Sequence, residues 1–183
     1  MPADSSASQK PATTIPADNP QRHLAIARPN TDPNLRHIGL AGDTYTILLT
    51  GRDTAGQFCL IDMHVPPGGG PPPHRHDFEE SFTILEGEIE LTFRGATSSA
   101  SAGETIHIPA NAPHQFRNKT NHPARLLCLC SPPGLEDFFA EVGVPVATRT
   151  AAPPPLDAAA QAQFLAKAQS LAAKYKTEFL PHA

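Results

Sequence analysis

The chain has 183 residues, 39% of them hydrophobic, with 21 prolines and a formal net charge of −4. That length and composition predict one compact core. The absence of a basic stripe argues against phosphate-backbone binding, so nucleic acid is not an expected partner. No run approaches the roughly 18 apolar residues of a membrane span, so the chain is expected to be soluble and cytoplasmic.

Residues 1–35 are rich in Pro, Ala and Ser, with Pro2, Pro11, Pro16 and Pro20 and no apolar block of signal-peptide length. They read as a flexible tail. Over 36–131 the pattern becomes one of short extended segments punctuated by Gly and Pro. Strands are predicted at 44–49, 57–65, 80–85, 88–93, 104–108, 114–118 and 124–130, a spacing that implies an antiparallel sandwich or barrel. The stretch 88–93 alternates cleanly, with Ile89, Leu91 and Phe93 on one face and Glu88, Glu90 and Thr92 on the other. Glu86-Gly87 joins it to the preceding strand as a hairpin in which Gly87 takes positive φ.

Residues 132–155 read as a short helix ending at Gly143, followed by a Pro-rich linker. Residues 156–183 read as a C-terminal helix that Asp157 can cap. In it Phe164, Ala168, Leu171, Tyr175 and Phe179 form a narrow apolar stripe for docking on the barrel or on a partner subunit. The three cysteines, Cys59, Cys128 and Cys130, are an odd number flanked by apolar residues. They read as buried thiols in a reducing compartment, with Cys128-x-Cys130 as a metal or redox pair the alternative.

The chemistry concentrates in two blocks. The first runs from Gly68 through His74-x-His76 and Glu80 to Gly87; the second runs from Gly103 through Pro109 and His114 to Asn118. An extended segment puts His74 and His76 on one face, with a carboxylate four residues later. Three imidazoles and a carboxylate, without thiolate, suit a divalent first-row metal, with coordination positions left open. The other histidines read as surface or hydrogen-bonded residues, although His64 and His107 lie in predicted strands whose facing is open.

These two blocks, with their glycines, Pro109 and Asn118, resemble the cupin superfamily. The resemblance implies an all-β fold, a double-stranded β-helix or jelly-roll-like antiparallel barrel with a C-terminal helical extension. It also implies His74, His76, Glu80 and His114 as ligands of one divalent transition metal, whether Mn, Fe, Co, Ni, Cu or Zn. Asn111 stands where the family usually has Gly; Asn tolerates the left-handed turn, so the bend toward His114 is expected to survive. Glu79 competes with Glu80, but the spacing after the second His selects Glu80, and alternation turns Glu79 away.

Phe58, Leu60, Phe82, Ile84, Ile106 and Phe116 are the expected pocket residues, giving a mainly apolar cavity suited to an aromatic or otherwise hydrophobic small molecule. The single barrel running into a helical extension is similar to bacterial quercetin 2,3-dioxygenase-like proteins. That similarity implies a dioxygenase with dioxygen and an enol-type substrate as partners and Glu80 as both ligand and proton acceptor. Two alternatives stand beside it: a non-catalytic binding or sensing cupin, and a metal-dependent isomerase, decarboxylase or hydrolase. The last wants an inward cation, which Arg52, Arg94, Arg117 or Arg125 could supply. A homodimer is the expected assembly.

Overall fold

A computed structural model describes residues 15–181. Residues 1–14 of the expected tail, and His182, lie outside that range, while 15–36 run without a helix or strand. Strands β1 (His37–Leu40), β2 (Asp43–Leu49), β3 (Cys59–Val65), β4 (His74–His76), β5 (Glu79–Glu86), β6 (Glu88–Phe93), β7 (Ala96–Ser101), β8 (Thr105–Ile108), β9 (His114–Arg117) and β10 (Ala124–Ser131) come first. Helix α1 (Leu135–Val142), strand β11 (Val144–Pro145), helix α2 (Ala158–Ala172) and strand β12 (Thr177–Phe179) follow. They form a seven-stranded sheet ordered β11-β1-β2-β3-β10-β5-β8 and a five-stranded sheet ordered β12-β4-β9-β6-β7, with every pairing antiparallel. This is the expected all-β double-sheet barrel. Among the described residues no helix is long and apolar enough to cross a membrane.

Alternation sorts the large sheet into two faces. Cys59, Ile61, Met63 and Val65 of β3 and Leu126, Cys128 and Cys130 of β10 are buried and join Phe82, Ile84, Ile89 and Phe116 in the core. The opposite face carries Leu60, Leu127 and Leu129, with Leu129 36% exposed. There Arg125 grips the fully buried Asp62 through Nε at 3.1 Å and Nη2 at 2.7 Å, so that the withdrawn carboxylate keeps a charge partner.

The hairpin β6–β7 turns on Arg94 and Gly95, both at positive φ as a two-residue loop of this hand requires. Sequence patterning leaves out β7 because Ala-Thr-Ser-Ser-Ala-Ser carries almost no apolar signal and only Ala100 is buried. Gly87 and Asn111 take the expected left-handed conformations, at φ 77° and 67°.

The C-terminal extension departs from the expected helix. Asp157 caps α2 through Ala160 N at 2.8 Å, but α2 ends at Ala172. A 3-10 turn and Lys176 at φ 54° follow, and 177–179 become β12, which pairs with β4. Ala168 and Phe164 thus sit on a helix while Phe179 sits on a strand; the three- and four-residue spacing does not distinguish a continued helix from a chain that turns and pairs with a free sheet edge.

Candidate metal centre

Three strands deliver the two blocks to one place. The loop that leads into β4 must pass close to β9: Gly70 has φ 124°, and a Cβ there would lie 2.2 Å from the Phe116 carbonyl oxygen, so no side chain is tolerated. Gly68 N donates to Asn118 O and Asn118 N to Gly69 O, while the buried Asn118 side chain donates to Val65 O and His122 O. The two blocks are therefore tied to each other by backbone bonds. His74 of β4 pairs directly with His114 of β9, and Glu80 of β5 faces them from the other sheet.

The four candidate ligand atoms lie within 4.8 Å of one another, and His76, Glu80 and His114 are buried. Each imidazole donates from Nδ1 to a backbone carbonyl two residues away: His74 to Pro72 O at 2.9 Å, His76 to Phe78 O at 3.0 Å, His114 to Ala112 O at 2.9 Å. That leaves the lone pair of each ring on Nε2. His76 Nε2 and His114 Nε2 stand 3.0 and 3.2 Å from Glu80 Oε2, which when ionised can accept but has no proton to donate. Lone pairs converging so closely require a positive charge among them, a proton or a metal ion, and the N/O donor set fits a divalent first-row metal.

Electrostatics agree with the geometry. Burial disfavours the Glu80 charge, yet without a metal the protonated forms of His114 and His76, donating from Nε2, outweigh it and hold the carboxyl well below the usual carboxylate range. Desolvation of the His74 ring, with His114 facing it, lowers its pKa to about 4, so it is neutral and ready to bind. Glu80 Oε1 points the other way and accepts from Cys128 Sγ at 3.3 Å. Cys128 and Cys130 are 3.5 Å apart at sulfur, and Cys59 lies across the ladder from Cys130, so all three thiols are free, buried and gathered behind the carboxylate. The strand pair alone offers two thiols; only the β3–β10 register supplies the third.

The Cupin domain family pattern matches residues 61–130. Auxin-binding protein 1 of Arabidopsis thaliana is 34% identical over 146 residues, covering 70% of this chain and 70% of that protein. The chain belongs to the cupin family. This cupin is also 30% identical over 108 residues to a quercetin 2,3-dioxygenase of Bacillus subtilis, 58% of this chain but only 32% of that protein, so it spans about a third of that relative. Among solved structures, the polyketide cyclase RemF from Streptomyces resistomycificus superposes with a TM-score of 0.46 at 28% identity, over 64% of this chain and 80% of that one.

The expected pocket of this cupin needs correction. Phe82, Ile84, Phe116 and Ile106 face inward, with the Phe82 and Phe116 rings edge-on at 5.3 Å, but they fill the core. Leu60 faces outward with Leu129, because Cys59 and Ile61 take the inner positions, and Phe58 is half-buried in the turn before β3. His64 and His107 also sit on the outer face, His107 beside Ser81 and Glu79, so neither reaches the ligand cluster. Arg125 is spent on Asp62, Arg117 on the carbonyls of Gly68 and Gly70, and Arg94 lies over the Phe93 ring.

An apolar cavity is built instead from β2, the 70–72 loop, α1, α2 and β12, and it includes Tyr45, Phe138, Phe139, Phe164 and Phe179 but none of the four candidate ligands. Tyr45 and Asp43 lie on a strand that the sequence identifies, but facing was the missing information. The alternation of Asp43, Tyr45 and Ile47 with Thr44 and Thr46 is uninformative because both faces are buried.

Proposed function

We propose that this cupin binds one divalent transition metal through His74, His76, Glu80 and His114 and acts as a dioxygenase on an aromatic or enol-type small molecule. The observation that carries the reading is the convergence of two Nε2 lone pairs on an ionised Glu80, each ring oriented by its Nδ1 hydrogen bond. The quercetin 2,3-dioxygenase relative supports the choice of reaction. A bound metal supplies Lewis acidity toward a substrate oxygen and, if redox-active, the electron chemistry that dioxygen needs.

The chain's own part is positioning and proton transfer. Glu80 would take the proton of an enol or phenol whose hydroxyl a bound metal makes more acidic. Its Oε1 is the oxygen turned from the histidines, and the Cys128 thiol holds it in place. The apolar walls around Tyr45 keep water from the reacting ring.

A binding or sensing role is the second reading, favoured by the coverage of auxin-binding protein 1. The isomerase or decarboxylase alternative wants an inward cation, and Arg94, Arg117 and Arg125 are engaged elsewhere. Elemental analysis coupled to oxygen-electrode screening of phenols, enols and flavonols decides among them. Stoichiometric metal with substrate-dependent oxygen uptake supports the dioxygenase; binding without uptake supports the sensor. A homodimer through the outer face of the large sheet accompanies the proposal, supported by the row Leu60, Leu127 and Leu129, and light scattering checks it. Three free thiols favour a reducing compartment such as the cytoplasm.

A further inference from the structure

The cavity lined by Tyr45 holds about 110 Å³. Its walls are aromatic and aliphatic, with Phe138, Phe139 and Phe164 from the two helices and Phe179 from β12. Phe179 is the cross-strand neighbour of His74, and Pro72, also in the wall, accepts the His74 Nδ1 hydrogen bond. The chamber therefore adjoins the ligand cluster rather than forming a remote surface dent. Tyr45 also senses the Glu80 charge: burial first, then Asp43, then Cys128 and Glu80 push its phenol well above the ordinary value.

Only two of the lining side chains are polar, Tyr45 and Asp43, and they are already bonded to each other. The Tyr45 hydroxyl donates its one proton to Asp43 Oδ2 at 2.9 Å, and Gly70 N donates to the same oxygen at 3.1 Å. What remains is acceptor capacity alone: the lone pairs of the Tyr45 oxygen, and Asp43 Oδ1, which has no partner. A ligand offering only a carbonyl or ether would find no side-chain donor here, whereas a ligand hydroxyl or N–H would.

Size narrows the class further. A dry apolar cavity of roughly 150 Å³ holds benzene. A chamber of this scale takes one ring, and a three-ring flavonol enters only if α2 and β12 move. We infer that the chamber binds a compact single-ring molecule carrying a hydroxyl or N–H donor, which the acceptor pair of Tyr45 and Asp43 receives. That such a phenol or enol is also the substrate rests on the dioxygenase reading; its binding in the chamber does not.

The test uses the full chain freed of metal by chelation, with phenol, toluene and anisole as calorimetric probes. Phenol binds about tenfold more tightly than toluene or anisole, the worth of one hydrogen bond. In the double variant Tyr45→Phe, Asp43→Leu that preference vanishes while toluene affinity is kept, because the aromatic ring and its packing on Phe139 remain. Ala168→Leu, which fills the chamber from α2, abolishes binding of all three. Equal affinities in the unmodified chain, or a preference that survives the double variant, overturn the inference. Phenol binding that needs metal and ignores Ala168→Leu overturns it and leaves the metal reading standing. Donor-selective binding by a chain that takes up no metal upholds it and removes the metal reading.

Discussion

Glu80 and Asp43 are two carboxylates withdrawn almost equally from water, 3% and 4% exposed, on neighbouring parts of one barrel, and their surroundings drive them in opposite directions. Around Glu80 three imidazoles converge, and hydrogen bonds from His114 and His76 overcome the cost of burial. Around Asp43 there is a phenol, one backbone N–H and the more distant Arg117, and burial wins, raising its pKa to about 6. Burial alone therefore does not set the character of a buried acid; the count of donors and cations around it does. One part of the barrel gathers donor atoms that suit a cation, while the neighbouring part presents acceptors to an apolar chamber.

Removing a ligand from the first region has the largest expected effect. His76→Ala loses both metal and turnover, by elemental analysis and oxygen uptake. Glu80→Gln keeps most of the metal while turnover falls about 10²–10⁴-fold, the usual worth of a positioned general base. Equal metal loss in the two variants would remove the proton-accepting role from Glu80. Acid tests the same region: the His74 imidazole must be neutral to bind and its pKa lies at about 4, so metal is released into dialysis buffer as pH falls toward that value.

Asp43 sharpens the contrast through stability. Its folded pKa, about 6, lies above its ordinary 3.8, so the folded chain holds more protons between those values and stability falls as pH rises through that window. Two units correspond to about 3 kcal/mol at most. Asn cannot titrate, so Asp43→Asn, compared with the unmodified metal-free chain by urea unfolding at pH 4 and pH 7.5, gains relative stability at the higher pH. A difference independent of pH would show that Asp43 is not the strained acid its surroundings imply.

The smallest effect belongs to the chamber's roof. Phe179 is partly buried on a three-residue strand, so Phe179→Ala enlarges the chamber at modest cost. A two-ring phenol such as 2-naphthol then binds the metal-free variant several-fold more tightly than the unmodified chain, measured by calorimetry. Unchanged affinity would place the size limit on α1 or α2 instead.

The ligand cluster could be read from the sequence because its information is local and redundant. His74 and His76 share a strand face by a two-residue step, Glu80 follows at a fixed distance, and Gly87, Gly103, Asn111 and Asn118 mark turns whose backbone demands restrict residue type. The strand at 88–93 was readable for a similar reason, having one apolar face. Strand β7 was not, since small polar residues on a solvated hairpin carry no period, and β12 was not, since its pairing partner lies a hundred residues earlier.

Taken alone, the sequence determined the barrel class, the set of candidate ligand residue types and the direction in which Glu79 and Glu80 diverge. Tertiary structure decided which face of β2 turns inward, that Leu60 turns outward, that Cys59 joins the other thiols, and that α1, α2 and β12 wall an apolar chamber. The physical reason is range. Residue spacing encodes geometry within one turn or one strand, whereas the facing of a doubly buried strand and the docking of a distant segment depend on register between strands.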